Sequence, residues 1–525
     1  MKRNLIYYFL SLNFLFIGLT ACYEDKSTEA DHIIPEIKID TTGIGETLSI
    51  LRLGQLTVNP SVSKEDTDPS EFSYEWKLSM EPVVQGTKDT YITISTEPTL
   101  DVQITLDEAS DPYRLWYQVT DNTTGLRKDI VWKLYVTAPY NEGLLIAESY
   151  DNGKTTDLAF LESELFSYDY DGKAQVTHNI FSNANEGVKI NSKIKQICAF
   201  KRVNQSFPTT KFFGLIGEGE DQYLLLDKNY TTKYRNEEGF YDGVIDVLNP
   251  SQLMIYNGRY YSIINNKKWY TIDTGSTEGY GMKWGIANFN ATFPSYYPVD
   301  NMVAHYYRNG TYTHLFYNYE AGKFNSVLVH PITKNGYTYD VTPDNSLGFN
   351  PQNCPNLETI YGALGPSNIL CMLMKNKDTG KYFVFGINAS QNKAIVYREI
   401  PDCELDQAVG YAINESGNVV YFATKNDIYV VVLNAEPVQV NKIHSFTDEI
   451  THFSFFRQAR ATTGSSSTNL STALNTLLTA TWDGNKGKIH AIPIISSNVG
   501  GIDKSGIVTY DEGFGKILTI THQDR

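Results

Sequence analysis

A run of short hairpins limits what this chain of 525 residues can become. From residue 139 onward there is almost no helical periodicity. Pairs of apolar or alternating runs flank turn residues instead: LLIAESYDNGKTTDLAFLE (144–162), FFGLIGEGEDQYLLLD (212–227), LMIYNGRYYSI (253–263), HLFYNYEAGKFNSVLVH (314–330), CMLMKNKDTGKYFVFGI (371–387), AINESGNVVYFAT (412–424) and LLTATWDGNKGKIHAIP (477–493). Two strand-like runs joined by Gly, Asn and Asp read as a β-hairpin. The turn glycines Gly153, Gly219, Gly258, Gly322, Gly380, Gly417 and Gly484 stand about 55 residues apart on average, with uneven gaps. A strand-only unit recurring at that spacing predicts a β-propeller over 139–525, of about seven four-stranded blades. Six or eight blades stay open, and a large sandwich or solenoid is the alternative. The last run, GKILTITH (515–522), is expected to close the ring beside strands near residue 144.

Residues 33–138 have a different texture. EFSYEWKL (71–78), YRLWYQVTD (113–121) and DIVWKLYVT (129–137) each alternate, with Phe72, Tyr74, Trp76 and Leu78 on one face of the first. Alternation at period two predicts half-buried strands, and about seven such strands in this length predict an immunoglobulin-like sandwich. YRLWYQVTDNTTG resembles the Y-x-V-x-V-T-D-x-x-G run of PKD domains, with Leu115 where valine is usual. Trp76 matches the core tryptophan of such folds. The expected fold class is therefore all-β, a PKD/immunoglobulin-like sandwich followed by a propeller.

The N-terminus carries an address. Lys2 and Arg3 precede the apolar run LIYYFLSLNFLFIG (5–18), which is short for a bilayer span and reads as an export signal over 1–21. LTAC (19–22) resembles a bacterial lipobox, which implies that the mature chain begins at a lipidated Cys22. Glu24 and Asp25 resemble the acidic surface-export signal of Bacteroidetes lipoproteins. Residues 22–32 then form an acidic tether. An ordinary secretory signal with a chance cysteine is the alternative.

Bulk charge narrows the partners. With 60 acidic and 44 basic residues the formal net charge is −16, which disfavours nucleic acid. Cys198, Cys354, Cys371 and Cys403 have no C-x-x-C spacing, and spacing cannot show whether any pair forms a disulfide. No short metal, nucleotide or nucleophile motif occurs, so no cofactor and no metal are expected. His305 and His314 lie nine apart and His444 and His452 eight apart, and neither spacing reads as a ligand pair. Asp169 and Asp171 in DYDG look like part of a calcium loop, but the later ligands are missing, which favours a plain turn. RQARATTGSSSTNLSTALN (457–475) reads as a surface loop.

Aromatic residues supply the ligand candidates. Residues 256–319 hold 17 Tyr, Phe or Trp. Tyr280 and Trp284 lie in the glycine-rich TGSTEGYGMKWG, Tyr296 and Tyr297 in SYYPVD, and Trp116 on the strand face opposite Leu115 and Tyr117. Flat rings on loops stack on sugars or pack on extended peptides. Filling gaps between blades is the competing role. The lipobox, tether, sandwich and strand-only remainder together resemble the PKD-like lipoproteins of Bacteroidetes. That resemblance implies a non-catalytic accessory subunit of a SusC/SusD-type TonB-dependent importer at the outer membrane. It would be held there by lipid alone and would capture oligopeptide or oligosaccharide. A surface hydrolase or lyase and an adhesin are the alternatives.

Overall fold

The structure is a computed structural model. It describes residues 35–52, 54–82, 90–109, 111–137, 140, 142–168, 170, 172–204, 207–257, 260–273, 282–286, 298–308, 311–329, 336–362, 364–365, 369–414, 418–458 and 470–524. Cys22, Glu24, Asp25 and the rest of the leader and tether lie outside them. So do Asp169, Asp171 and residues 459–469 of the Ser/Thr-rich stretch. The chain divides into two compact units, Met1–Pro139 and Tyr140–Arg525.

In the first unit the alternating runs form one five-stranded sheet. Its order is Thr47–Leu51, Arg127–Thr137, Tyr113–Asp121, Phe72–Ser79, Tyr91–Ser95, with the first pair parallel. Two short pairs complete the sandwich, Lys38–Asp40 with Ser61–Ser63 and Gln55–Val58 with Leu100–Gln103. The inward positions meet in one core. Trp76 stacks on Tyr117 at 4.1 Å and on Trp132 at 5.9 Å. Trp76 Nε1 donates to the Glu97 carbonyl and Tyr117 OH to that of Pro98. These bonds let large polar-tipped rings be fully buried. The T-D-N-T-T-G turn owes its aspartate to a buried knot. Asp121 pairs with Lys64 and accepts from the Thr123 and Thr124 backbone N–H groups. The Lys64 hydrogen bond, first among the causes, holds this carboxyl well below the usual range.

In the second unit seven sheets follow one another. Blade 1 consists of Lys516–Gln523, Gly143–Ser149, Asp157–Glu162 and Gln175–Thr177. Blade 2 is Ser192–Asn204, Phe207–Gly219, Tyr223–Asp227 and Thr232–Arg235. Blade 3 is Pro250–Asn257, Tyr260–Asn265, Lys268–Asp273 and Gly285–Ile286. Blade 4 is Val303–Arg308, Thr311–Asn318, Lys323–Val329 and Gly336–Asp340. Blade 5 is Leu357–Gly362, Ile369–Asn376, Tyr382–Asn388 and Lys393–Glu399. Blade 6 is Gly410–Ile413, Val419–Ala423, Asp427–Val432 and Gln439–Ser445. Blade 7 is Glu449–Phe455, Thr476–Trp482, Gly487–Ser496 and Val508–Phe514, with Gly501–Ile502 also on its third strand. The ring closes as expected from the sequence. Gly143 faces Gln523 and Ile146 faces Ile520 in antiparallel register.

The ring explains the unbroken apolar runs. Alternate residues of one strand face two different neighbours. Leu144 and Ile146 join the cluster shared with blade 7, while Leu145 and Ala147 join the one shared with blade 2. A strand buried on both faces reads as continuous apolar sequence. Matching clusters fill the spaces between blades 2 and 3, 4 and 5, 5 and 6, and 6 and 7. The uneven glycine spacing also has a cause. Gly153, Gly219, Gly322, Gly380 and Gly484 lie at the connection between second and third strands. Gly258 and Gly417, outside the described residues, fall in sequence between first and second strands, one hairpin earlier. The connections use one chemistry. Asn376 Oδ1 accepts the Asp378 and Thr379 N–H groups, and Gly380 follows at φ 72°. Asn318 and Gly322 (φ 60°) repeat this in blade 4. The asparagine satisfies the turn donors and glycine takes the left-handed position.

Inner strand edges need cover, and two glutamines provide it. Gln196 accepts from Leu253 N–H and donates to Leu253 C=O, both at 2.8 Å. Gln252, one repeat on, does the same to Val303 at 2.8 and 3.1 Å. Each follows a register shift in its own strand, which turns the side chain toward the next blade. A side-chain amide thus stands in for one rung of a ladder. Gln252→Ala is expected to leave both Val303 groups unpaired, at about 1–3 kcal/mol each. Chemical denaturation of this variant measures that loss.

At the seam, His178 Nδ1 lies 2.8 Å from Glu148 Oε1, and Nε2 lies 2.9 Å from the Glu512 carbonyl oxygen. Both partners only accept, so the charged imidazolium satisfies both. The Glu148 hydrogen bond chiefly raises the His178 pKa above its ordinary 6.5. A raised folded pKa means that the stabilisation is full below the unfolded value and is lost as pH rises through the folded one. His178→Ala should therefore lower the melting temperature more at about pH 5 than at about pH 9, a difference that thermal melts across this range measure.

Candidate functional site

The structure separates the aromatic candidates. Trp284 is fully buried. It bridges to Phe240 by backbone pairing and meets Tyr223 edge-on at 6.1 Å within the cluster between blades 2 and 3. The glycine-rich context suggested a loop ring, but the chain folds back there to pack the indole as core. Tyr280, Tyr296 and Tyr297 lie outside the described residues.

Trp116 remains at the surface. It is half-buried on the sheet face opposite Leu115 and Tyr117, which are fully buried. Its ring meets Tyr91 edge-on at 5.7 Å, leaning across the strand Phe72–Ser79. In register it sits between Lys77 on one side and Val131 on the other, and Val131 is 46% exposed. Lys77 is held by Glu75 at 2.7 Å. The result is an edge-to-face aromatic pair beside the Lys77–Glu75 ion pair. It is built on sheet strands, so the ring positions are fixed by the pleat.

Ionisable groups elsewhere serve the fold. Six carboxylates are buried among the described residues, and each accepts backbone N–H groups. Asp121 takes those of Thr123 and Thr124, Glu142 that of Tyr168, and Glu148 that of Gly515. Asp157 takes Leu158 and Ser182, Asp221 takes Asn191, and Asp300 takes Thr359. The Asp300 bond, at 2.6 Å, ties blade 4 to the inner strand of blade 5. Such acids act as caps that happen to be charged. His490 sits between the hydroxyls of Thr481 and Thr509 at 2.9 Å each, and burial pushes its pKa down to about 4.

The blade 4 hairpin brings two of the histidines together. His305 and His314 face each other directly across blade 4, with ring centroids 6.0 Å apart. A spacing of nine is what a short antiparallel turn needs to bring two residues together. Burial drives His305 down to about 3, so it is neutral. No cluster of three or more metal-ligating side chains occurs among the described residues. Cys198, Cys354, Cys371 and Cys403 are unpaired, with Cys354 and Cys371 buried.

The two tryptophans predict opposite behaviour. Trp284→Ala should cost about 3–5 kcal/mol as a core truncation, whereas Trp116→Ala should change stability by well under half of that. Denaturant titration of both variants tests this.

Residues 22–193 match the PKD-like family, a span that starts at Cys22 and ends in the first strand of blade 2. No curated protein matches the chain. Among solved structures it is similar to a quinonprotein alcohol dehydrogenase-like protein from Bacteroides thetaiotaomicron, at 12% identity and TM-score 0.40, covering 93% of this chain and 99% of that one. It is similar to the Dos1 propeller at 10% identity and TM-score 0.37, covering 72% and 86%. It is also similar to the WD40 domain of SCAP from fission yeast at 9% identity and TM-score 0.31, covering 63% and 74%. These likenesses carry no statement about activity; the chain is all-β, with a PKD-like N-terminal region and a seven-bladed propeller defined by its own strand order.

Proposed function

We propose that this chain is a lipid-anchored outer-membrane surface protein. In this reading it binds ligand without catalysis, as an accessory subunit of a SusC/SusD-type TonB-dependent importer for peptide or glycan. One observation carries the binding half. The buried carboxylates of the described residues all hold backbone N–H groups, while the Trp116–Tyr91 pair is left half-buried at the surface. Fixed acids cap the fold, and a surface aromatic pair offers area at low entropic cost to a flat or extended ligand. The match of residues 22–193 to the PKD-like family supports the resemblance on which the accessory-subunit reading rests. The membrane half rests on LTAC and on Glu24 and Asp25.

Affinity purification from detergent-solubilised outer membranes, through a C-terminal tag, tests the assignment. The expected result is a stoichiometric transporter and lipoprotein pair on mass spectrometry, lost from the membrane fraction with Cys22→Ser. A monomer without partners would sink the importer reading.

A further inference from the structure

A cluster of aromatic and charged side chains lies where blades 5 and 6 meet. Tyr361, on the inner strand of blade 5, and Tyr411, on that of blade 6, stand 6.1 Å apart with ring planes at 37°. Beside them Lys375 Nζ donates to Asp406 Oδ1 at 2.5 Å, and Tyr382 OH donates to the same oxygen at 2.7 Å. Lys375 also lies over the Tyr382 ring at 5.0 Å. Glu358 faces Lys375 across the first two strands of blade 5. All three tyrosines are half-buried, with their inner edges on the apolar cluster that includes Leu373, Val384 and Ile413.

Part of this explains itself. The Lys375–Asp406–Tyr382 group ties a hairpin of blade 5 to the turn that leads into blade 6. The rest has no such role. The hydroxyls of Tyr361 and Tyr411 make no hydrogen bond to a described residue, and neither does Asp406 Oδ2. Phenylalanine would fill the same space between the blades. Burial pushes the Tyr411 phenol up to about 12, so it stays a neutral donor. The cluster therefore holds two aromatic rings, with two phenols and one carboxylate oxygen that bond to no described residue. Lys375 cancels Asp406, and Glu358 leaves the surroundings net negative, which disfavours anionic ligands.

We propose that this cluster is a binding site for a neutral sugar ring. The apolar face of a pyranose lies against Tyr361 and Tyr411, and neighbouring hydroxyls bond to the two phenols and to Asp406 Oδ2. The proposal rests on the binding reading above and names its ligand class, but it is independent of the membrane address.

The test is calorimetric titration of the purified full chain with neutral gluco-, manno-, galacto- and xylo-configured oligosaccharides, with a short mixed-sequence peptide as comparison. At least one oligosaccharide is expected to bind. Tyr411→Ala should weaken it about tenfold or more, as truncation of a central aromatic contact does. Tyr411→Phe and Tyr361→Phe, which keep the packing and melt like the parent, should each weaken it several-fold. Binding of the peptide alone, or of no oligosaccharide, overturns the proposal. So does unchanged sugar affinity in both Phe variants, or an affinity that falls only with Trp116→Ala. Co-purification of a transporter pair alongside any of these results leaves the importer reading standing while this one falls.

Discussion

The pairing of Lys516–Gln523 with Gly143–Ser149 is the contact on which the propeller depends. It joins segments separated by most of the chain, so it costs loop-closure entropy, but that cost grows only with the logarithm of length. In return the ring loses two open sheet edges and buries the cluster between blades 7 and 1, with Leu144, Ile146, Leu478 and Ile489. Buried polar groups gather at the same seam. Glu148 accepts Gly515 N–H on one oxygen and holds His178 on the other, and Tyr230 OH donates to Gln523 Oε1 on the last strand. A misaligned closure would leave these groups buried and unpaired, so they select the register as well as the contact.

Around the ring the same problem is solved repeatedly. Each sheet shows both faces to neighbours and must protect its inner edge. Apolar residues at alternate positions serve the faces, and Gln196, Gln252 and Asp300 reach from one blade to the inner strand of the next. In blade 4 the short strand Leu364–Gly365 pairs with His305 and Tyr306 and covers that edge further. Polar side chains buried between blades are thus part of the sheet hydrogen bonding. This is why six acids are buried among the described residues.

That use of polar groups shapes the functional reading. The buried carboxylates are tied to the backbone, while two aromatic pairs are only half-buried. Trp116 with Tyr91 on the sandwich, and Tyr361 with Tyr411 on the propeller, are both held by strands, so the sheet pleat fixes their positions.

Local pattern was enough for much of the fold. Alternation in YRLWYQVTD fixed which face of that strand is buried, and Asn-x-x-x-Gly turns marked the hairpins, because side-chain direction and turn conformation depend on neighbours in sequence. The same repeats suggested about seven blades, with six or eight open, and a closing strand near residue 144; the strand order has seven blades and closes there. The sequence could not separate Trp284 from Trp116. Both are aromatic rings beside polar residues, and only the packing of Trp284 against Phe240 and Tyr223 makes it core. Nor could it show that nine residues bring His305 and His314 face to face, or that Tyr361 and Tyr411, far apart in the chain, lie side by side. Secondary structure is written in short-range order. Which surfaces remain open is decided by contacts between blades, and those exist only once the ring has closed.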